Sequence, residues 1–241
     1  MIVVESIGFA ATHTIAAILR DLPGYEVSHG SQDFVAKTRL GVGGQSPDAF
    51  VASMRGAAET GGTPVALHTS FAPQSMKPAC DGGGVAYRLL VRDPARQIES
   101  CYAWISRKVL TGQPVLPDVL RAALPVLKAA RLGPGLPDIL FAFAARHVTG
   151  YNVAGLACGA RVVKMEEILA DEQAFRELFA VPDAVEIGHF SGEEVKLASH
   201  RAKQADAPMT EPDRARILAA LELPLGAARL SYEDYRSALG Y

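Results

Sequence analysis

The chain has 241 residues, 49% hydrophobic and 21% charged, with a mean hydropathy of +0.13. This composition excludes a disordered, collagen-like or coiled-coil chain, and the length favours one large domain. Twenty-four basic and 26 acidic residues give a net charge of −2, so the overall charge predicts neither a nucleic-acid partner nor an anionic membrane. Any anion site must be local.

The cysteines and the start of the chain indicate the compartment. The chain has three widely spaced cysteines, Cys80, Cys101 and Cys158, and no two of them form a CxxC pair. This spacing predicts neither a disulfide framework nor a zinc site. The start has no basic n-region, and no apolar stretch reaches the roughly 18 to 20 residues of a membrane span. We therefore expect a cytoplasmic protein that uses no metal and has no membrane span.

Short apolar runs alternate with helical patterns along most of the chain. The predicted strands are 1–7, 25–28, 63–68, 85–91 and, as the last strand, 161–164. The predicted helices are 12–19, 48–59, 94–107, 138–158, 165–180 and 210–221. The alternation predicts an α/β fold, a three-layer sandwich with a mostly parallel sheet covered by helices on both faces. Ligands of such folds bind at the carboxyl ends of the strands.

The segment 110–137 interrupts this alternation. It holds five prolines in a Leu/Ala-rich sequence with few charges. We expect an irregular helical insertion that covers the substrate site as a lid and excludes water from it. Its apolar character suits either a hydrophobic substrate or a homodimer surface, and both stay open.

The turn after the first predicted strand is the first candidate site. Free amides at the start of a helix, together with threonine hydroxyls, suit a phosphate-like anion. It is not a Walker loop, because it has one glycine and no lysine follows. The alternative is that Thr12 only caps the helix. The turn reads Gly8-Phe9-Ala10-Ala11-Thr12-His13-Thr14.

A second candidate combines Arg92, at the end of a predicted strand, with Ser100, about two turns into the next helix. An arginine fork and a serine hydroxyl can together hold several oxygens of one phosphate. The alternative is an Arg92 paired with a nearby carboxylate and a Ser100 on a solvated face.

Around these residues the sequence resembles a known family. The segment VRDPARQIESCYAW is similar to the 3′-phosphate-binding signature of sulfotransferases that use 3′-phosphoadenosine 5′-phosphosulfate (PAPS). In the family's chain order, SIGFAATHTIAAIL corresponds to the 5′-phosphosulfate loop and PVALHTS to the strand that ends in a histidine, here His68. VVKMEEILADEQAF corresponds to a later strand and helix, with Glu166 at the family's glutamate. The resemblance covers about residues 2–180, and it implies a fold built like a P-loop nucleotide-binding domain.

The resemblance implies transfer of a sulfuryl group from PAPS to a hydroxyl or amine of a small-molecule or carbohydrate acceptor. The opening turn would hold the 5′-phosphosulfate, and Arg92 and Ser100 the 3′-phosphate. His68 would be the general base, a role that suits an imidazole. Without the resemblance, a lone histidine after an apolar run is more often a core residue, and His29 has no spacing that suggests a metal.

The chain departs from the family where the family carries lysines. Ala10 and Ala11 take the positions of the loop's lysine and serine, Thr12 that of its glycine, and His13 that of its first threonine. A second expected lysine is Ala66. His13 is the nearest substitute for the missing charge. Arg201 and Lys203 resemble a late basic loop that covers the 3′-phosphate, but its glycine is absent, and the alternative is an exposed basic stretch.

Two other functions therefore stay open. A non-catalytic nucleotide- or phosphate-binding protein is favoured by Ala10 and Ala66, whereas His68 favours the enzyme. A kinase-type phosphotransferase is opposed by the absence of a Gly-Lys-Ser/Thr run and of an evident Mg²⁺-binding carboxylate after a strand.

Overall fold

The computed structural model describes residues 1–30, 32–34, 46–191 and 209–241. The chain divides into two compact units. The first comprises Met1–Arg92 and the described residues from Cys158 to 191, and the second comprises Asp93–Ala157 and residues 209–241. Strands and helices are numbered in chain order. Among the described residues, no helix is both long and apolar enough to cross a membrane.

The first unit is built on a five-stranded sheet in which every strand pairing is parallel. The strand order is β2-β3-β1-β4-β5. Its strands are β1 (Ile2–Glu5), β2 (Tyr25–His29), β3 (Thr63–Leu67), β4 (Ala86–Val91) and β5 (Arg161–Lys164). The predicted α/β class and parallel sheet are confirmed, and the five predicted strands are present with slightly shifted ends.

The central strand β1 is buried along its whole length. Val3 pairs with Ala66 of β3 on one side and with Tyr87 of β4 on the other. A strand that is covered on both faces is usually apolar throughout. This explains why β1 shows no alternation of polar and apolar residues. Glu5 is the exception, because it ends β1 with a fully buried side chain.

Five helices of this unit fall within the described residues. They are α1 (Thr12–Arg20), α2 (Pro47–Glu59), α3 (Pro73–Gly83), α7 (Met165–Ala170) and α8 (Glu172–Phe179). The core between helices and sheet includes the buried side chains of Ile15, Leu19, Leu67, Phe175 and Phe179. Fully burying such side chains stabilises a fold by about 1.5–3 kcal/mol each.

The predicted helix 165–180 is two helices. The helix is interrupted at Asp171, where the backbone is extended. The Asp171 side chain accepts hydrogen bonds from the amides of Gln173 (2.9 Å) and Ala174 (3.4 Å). A side chain that satisfies these first amides caps a new helix rather than continuing the old one. Helix α3 was not predicted. It begins at Pro73 and ends before Gly84, whose φ of 66° suits a helix C-terminus.

The second unit is mainly helical. It contains α4 (Pro94–Leu110), α5 (Leu116–Ala130), α6 (Leu136–Ala157), α9 (Glu211–Ala219), α10 (Tyr232–Ala238), β6 (Leu223–Leu225) and β7 (Ala228–Leu230). The prediction that 161–164 is the last strand is wrong, because β6 and β7 form an antiparallel ribbon. Its strands have three residues each and meet at Gly226, which has a φ of 60°. Runs this short carry almost no periodic signal.

Segment 110–137 is more regular than predicted. Pro117 and Pro137 lie in the first turns of α5 and α6, where a missing amide hydrogen leaves no bond unmade. Of the five prolines in this segment, Pro125 falls inside a helix, and α5 continues through it. Pro117 and Pro137 therefore mark the starts of helices, and Pro125 does not interrupt one.

A buried polar cluster joins three helices of the second unit. Asn152 on α6 donates through Nδ2 to Oε1 of Gln97 on α4 (3.2 Å) and to the hydroxyl of Tyr235 on α10 (2.8 Å). All three residues are completely buried. Buried amides need such partners, so the cluster specifies how these helices pack.

Candidate functional site

The candidate site lies in the first unit at the carboxyl ends of β1, β2 and β3. From β1 the chain continues to β2 across β3, and from β3 it continues to β4 across β1. The connections that follow β1 and β3 therefore run in opposite directions along the sheet. The crevice between the carboxyl ends of these two strands is a topological switch point. Ligands of parallel α/β sheets bind at such points.

The turn after β1 carries the first predicted site. The Gly8 amide donates to the Ser6 hydroxyl (3.2 Å), and Gly8 has a φ of 100°. Helix α1 begins at Thr12 after Ala11, whose side chain offers no cap to the first amides. The predicted cap role of Thr12 is therefore wrong. Its side chain is buried and is hydrogen-bonded to His29 instead. Thr14 is half-buried on the first turn of α1.

The turns after β1 and β3 contain non-glycine residues whose backbone is in the left-handed region. Phe9 (φ 63°) and Ala11 (52°) lie in the turn after β1, and His68 (52°) and Ser70 (69°) lie in the turn after β3. The other two described cases, Arg131 and Ala180, only end helices. Such conformations cost about 1–3 kcal/mol each and cluster at functional sites. The strained residues therefore lie at the topological switch point, at the carboxyl ends of β1 and β3.

His68 leaves β3 with its ring held against the turn after β1. Its Nδ1 lies 2.6 Å from the carbonyl oxygen of Ser6. A β-carbon placed on Gly8 would contact Cε1 of the ring at 3.8 Å. Since a carbonyl oxygen only accepts hydrogen bonds, Nδ1 carries the proton and Nε2 holds the lone pair of the neutral ring. The predicted base and the predicted anion turn are thus adjacent.

Two further imidazoles adjoin His68. His29, the last residue of β2, is bound through Nε2 to the Thr12 hydroxyl (3.0 Å). Its ring centroid is 4.0 Å from that of the exposed His13 and 5.6 Å from that of His68. His29 was missed because it lies in no motif. The signal for it was its position at the end of a strand of the same parallel sheet.

Glu5 lies directly beneath the His68 turn. Its carboxyl group accepts hydrogen bonds from the amides of Ser6 (3.1 Å) and Thr69 (3.0 and 3.1 Å to the two oxygens) and from the Thr69 hydroxyl. Burial raises the pKa of Glu5 above its ordinary value, while these hydrogen bonds and the charge on His68 oppose the rise. Sequence analysis did not identify Glu5 as a site residue.

The buried thiols offer no nucleophile. Burial, with smaller contributions from Glu5 and Asp81, raises the pKa of Cys80 to about 12. Burial also raises the pKa of Cys101 in the second unit. Both thiols stay protonated near neutral pH, and the thiolate is the reactive form.

The two positions at which the resembled family carries lysines are buried in this protein. Ala10 follows Gly8 by two residues, and Ala66 lies within β3; both are fully buried. Across the described parts of the chain, no group of three or more histidine, cysteine, aspartate or glutamate side chains is arranged to hold a metal ion. The imidazoles of His13 and His29 are the groups near this turn that could carry a positive charge.

The remaining predicted residues are Arg92, Ser100, Glu166, Arg201 and Lys203. Arg92 follows β4 as a half-buried residue of the first unit, whereas Ser100 is half-buried on α4 of the second. Asp93 caps α4, because its side chain accepts a hydrogen bond from the Arg96 amide (3.0 Å). The joint binding of a phosphate by Arg92 and Ser100 stays a prediction. Glu166 is half-buried in the first turn of α7, and Arg201 and Lys203 lie outside the described residues.

Known proteins supply no family for the chain. In comparisons with family models, curated proteins and solved structures, nothing matches. Its function is therefore inferred from the side chains that meet after β1, β2 and β3. They combine an oriented imidazole, a turn with amides at the start of a helix, and two more imidazoles, an arrangement that can accept a proton beside a bound anion.

Proposed function

We propose that the protein is a sulfotransferase-like enzyme that moves a sulfuryl group from PAPS to a hydroxyl or amine. The observation that carries the proposal is the position of His68. Its Nδ1 is held by the Ser6 carbonyl, and its ring lies against Gly8 in the turn proposed to hold the 5′-phosphosulfate. A base for the acceptor and a cradle for the donor are then side by side.

The sheet supports the same proposal. The order β2-β3-β1-β4-β5 sets the turn after β1 next to the end of β3, at the switch point where nucleotides bind in doubly wound sheets. We accordingly assign the first unit a P-loop-like fold as part of the proposal.

In the proposed reaction, His68 Nε2 takes the proton of the acceptor hydroxyl. The acceptor oxygen forms a bond to sulfur while the bond between sulfur and the bridging phosphate oxygen breaks. That oxygen keeps the electron pair, so adenosine 3′,5′-bisphosphate leaves. As in phosphoryl transfer, positioning and charge stabilisation supply most of the rate enhancement.

Charge for this step would come from imidazoles in place of lysine. Ala10 and Ala66 are buried, so neither position can present a cation. His13 lies in the first turn of α1, and its ring centroid is 4.0 Å from that of His29. Protonated imidazole donates charge-assisted hydrogen bonds to anionic oxygen, as lysine does.

On the sequence resemblance alone, Arg92, Ser100, Arg201 and Lys203 are proposed to contact the 3′-phosphate. The acceptor is proposed to lie near the helical segment 110–137. Four of the five exposed large hydrophobic side chains of the described residues fall there: Leu110, Leu116, Leu124 and Leu136. This suits an apolar acceptor or a second copy of the chain.

One alternative is supported by a specific observation. A non-catalytic nucleotide- or phosphate-binding protein would need neither lysine, and both lysine positions are buried alanines. Such a protein would bind adenosine 3′,5′-bisphosphate without consuming PAPS.

Calorimetry with adenosine 3′,5′-bisphosphate tests the nucleotide assignment. We expect binding that Arg92→Ala weakens by roughly 1.5–3 kcal/mol, the value of a hydrogen bond to a charged group. Arg121→Ala, an exposed arginine that pairs with Asp118 in the second unit, is the control and should bind as wild type. Absence of binding by the wild-type protein would remove both the enzyme and the non-catalytic alternative.

A further inference from the structure

The proposed reaction leaves Glu5 without a role, although a completely buried carboxyl group is costly to retain. No charged partner holds Glu5 in an ion pair among the described residues. Its hydrogen bonds instead come from Ser6 and Thr69. A carboxyl group that is buried beside the candidate site despite its desolvation cost indicates a role in that site.

Both partners of Glu5 hold His68. Ser6, whose amide donates to Glu5, offers its carbonyl oxygen to His68 Nδ1. Thr69, whose amide and hydroxyl donate to Glu5, follows His68 directly and separates two left-handed residues, His68 and Ser70. The carboxyl group therefore fixes the acceptor of the ring proton and the backbone that carries the ring.

We propose that Glu5 is a positioning residue for His68, which it keeps in the Nδ1–H tautomer with Nε2 available as the base. Strained backbone persists only where its surroundings hold it, and the two Thr69 donors supply that hold in this turn. Ring orientation and tautomer are set by the partner of the other nitrogen. The role as a base rests on the proposed function, whereas the tautomer does not.

The structure provides graded variants. Glu5→Gln keeps the size of the side chain but replaces one acceptor oxygen with a donor that faces the Thr69 amide and hydroxyl. Thr69→Val removes only the hydroxyl, and Thr69→Ser keeps it. Thr149→Val is the matched control, because it deletes an equally buried threonine hydroxyl in the second unit, bonded to the Ala145 carbonyl.

The experiment measures ¹⁵N chemical shifts of the His68 ring nitrogens in the ligand-free protein, at a pH where the ring is neutral. We expect the Nδ1–H form to predominate in the wild type. Glu5→Gln and Thr69→Val should lower the ratio of the Nδ1–H to the Nε2–H tautomer by about fivefold or more, the effect of one lost hydrogen bond. Thr69→Ser and Thr149→Val should keep the wild-type ratio.

An unchanged ratio in folded Glu5→Gln would overturn the inference, as would a wild-type ring that is mainly Nε2–H. If Glu5→Gln does not fold, Thr69→Val decides in the same way. The failure of the proposed function is distinguishable: a wild-type protein that shows these tautomer changes but never consumes PAPS keeps the Glu5 role and loses the enzymatic one.

Discussion

The amide of Thr69 lies 3.0 Å from one carboxyl oxygen of Glu5 and 3.1 Å from the other, although 64 residues separate them along the chain. The hydrogen bonds join the last residue of β1 to the turn after its parallel neighbour β3. The Thr69 hydroxyl adds a third bond to the same carboxyl group. A side chain of β1 is thereby bonded to the residue that directly follows His68.

The raised pKa of Glu5 makes stability depend on pH. A carboxyl group whose pKa is higher in the folded than in the unfolded chain stabilises the fold fully below its unfolded value, near 4.5, and this contribution is lost as pH rises through the folded pKa. The stability of wild type relative to Glu5→Gln should therefore fall as pH increases from 4.5 towards 8. Urea unfolding of both proteins across this range measures the difference. A difference that grows with pH would show that the hydrogen bonds outweigh burial.

Gly8→Ala should destabilise the first unit. Gly8 has a φ of 100°, which side-chain-bearing residues rarely adopt, so we expect a loss of about 1–3 kcal/mol. Gly82→Ala in α3 is the control. Nothing lies within 4 Å of its added β-carbon, and alanine is favoured over glycine in a helix. Circular dichroism during urea unfolding measures both. Equal stability of Gly8→Ala and wild type would contradict the strained turn.

Two tyrosines of α10 should respond differently to loss of their hydroxyls. Tyr235→Phe leaves Asn152 Nδ2 without one of its acceptors in the core, which costs about 1–3 kcal/mol. The buried Tyr232 hydroxyl has no hydrogen-bond partner among the described residues, so Tyr232→Phe should change stability by about 0.5 kcal/mol or less. The single tryptophan, Trp104 on α4, reports unfolding of this unit by fluorescence. Equal losses in both variants would contradict the assignment of the Asn152 bond.

The sheet of the first unit was predictable because its strands are short apolar runs between helical patterns. The ends of helices were predictable where a capping side chain marks them, as at Ser46, whose hydroxyl accepts from the Ala49 amide. The β6–β7 ribbon was not, since three-residue strands have no measurable period. The break at Asp171 was missed because the apolar spacing continues across it.

The site was predictable only in part. His68 and the turn after β1 follow strand ends, which the sequence shows. Their adjacency to Glu5 and His29 depends on the order in which strands join the sheet, and that order is a long-range property. Glu5 in particular resembles a solvated residue after an apolar run until β4 pairs with it on one side and the turn after β3 bonds to its side chain.

The most direct test measures conversion of PAPS to adenosine 3′,5′-bisphosphate, with water as the acceptor, by chromatography. Wild type, His68→Ala and His147→Ala are compared; His147 is a half-buried histidine of the second unit that stacks on Phe143. We expect turnover by wild type and His147→Ala, and a loss of about 10²–10⁴-fold in His68→Ala, the usual contribution of a general base. Equal turnover in His68→Ala, or none in the wild type, would contradict His68 as the base of a sulfuryl transfer.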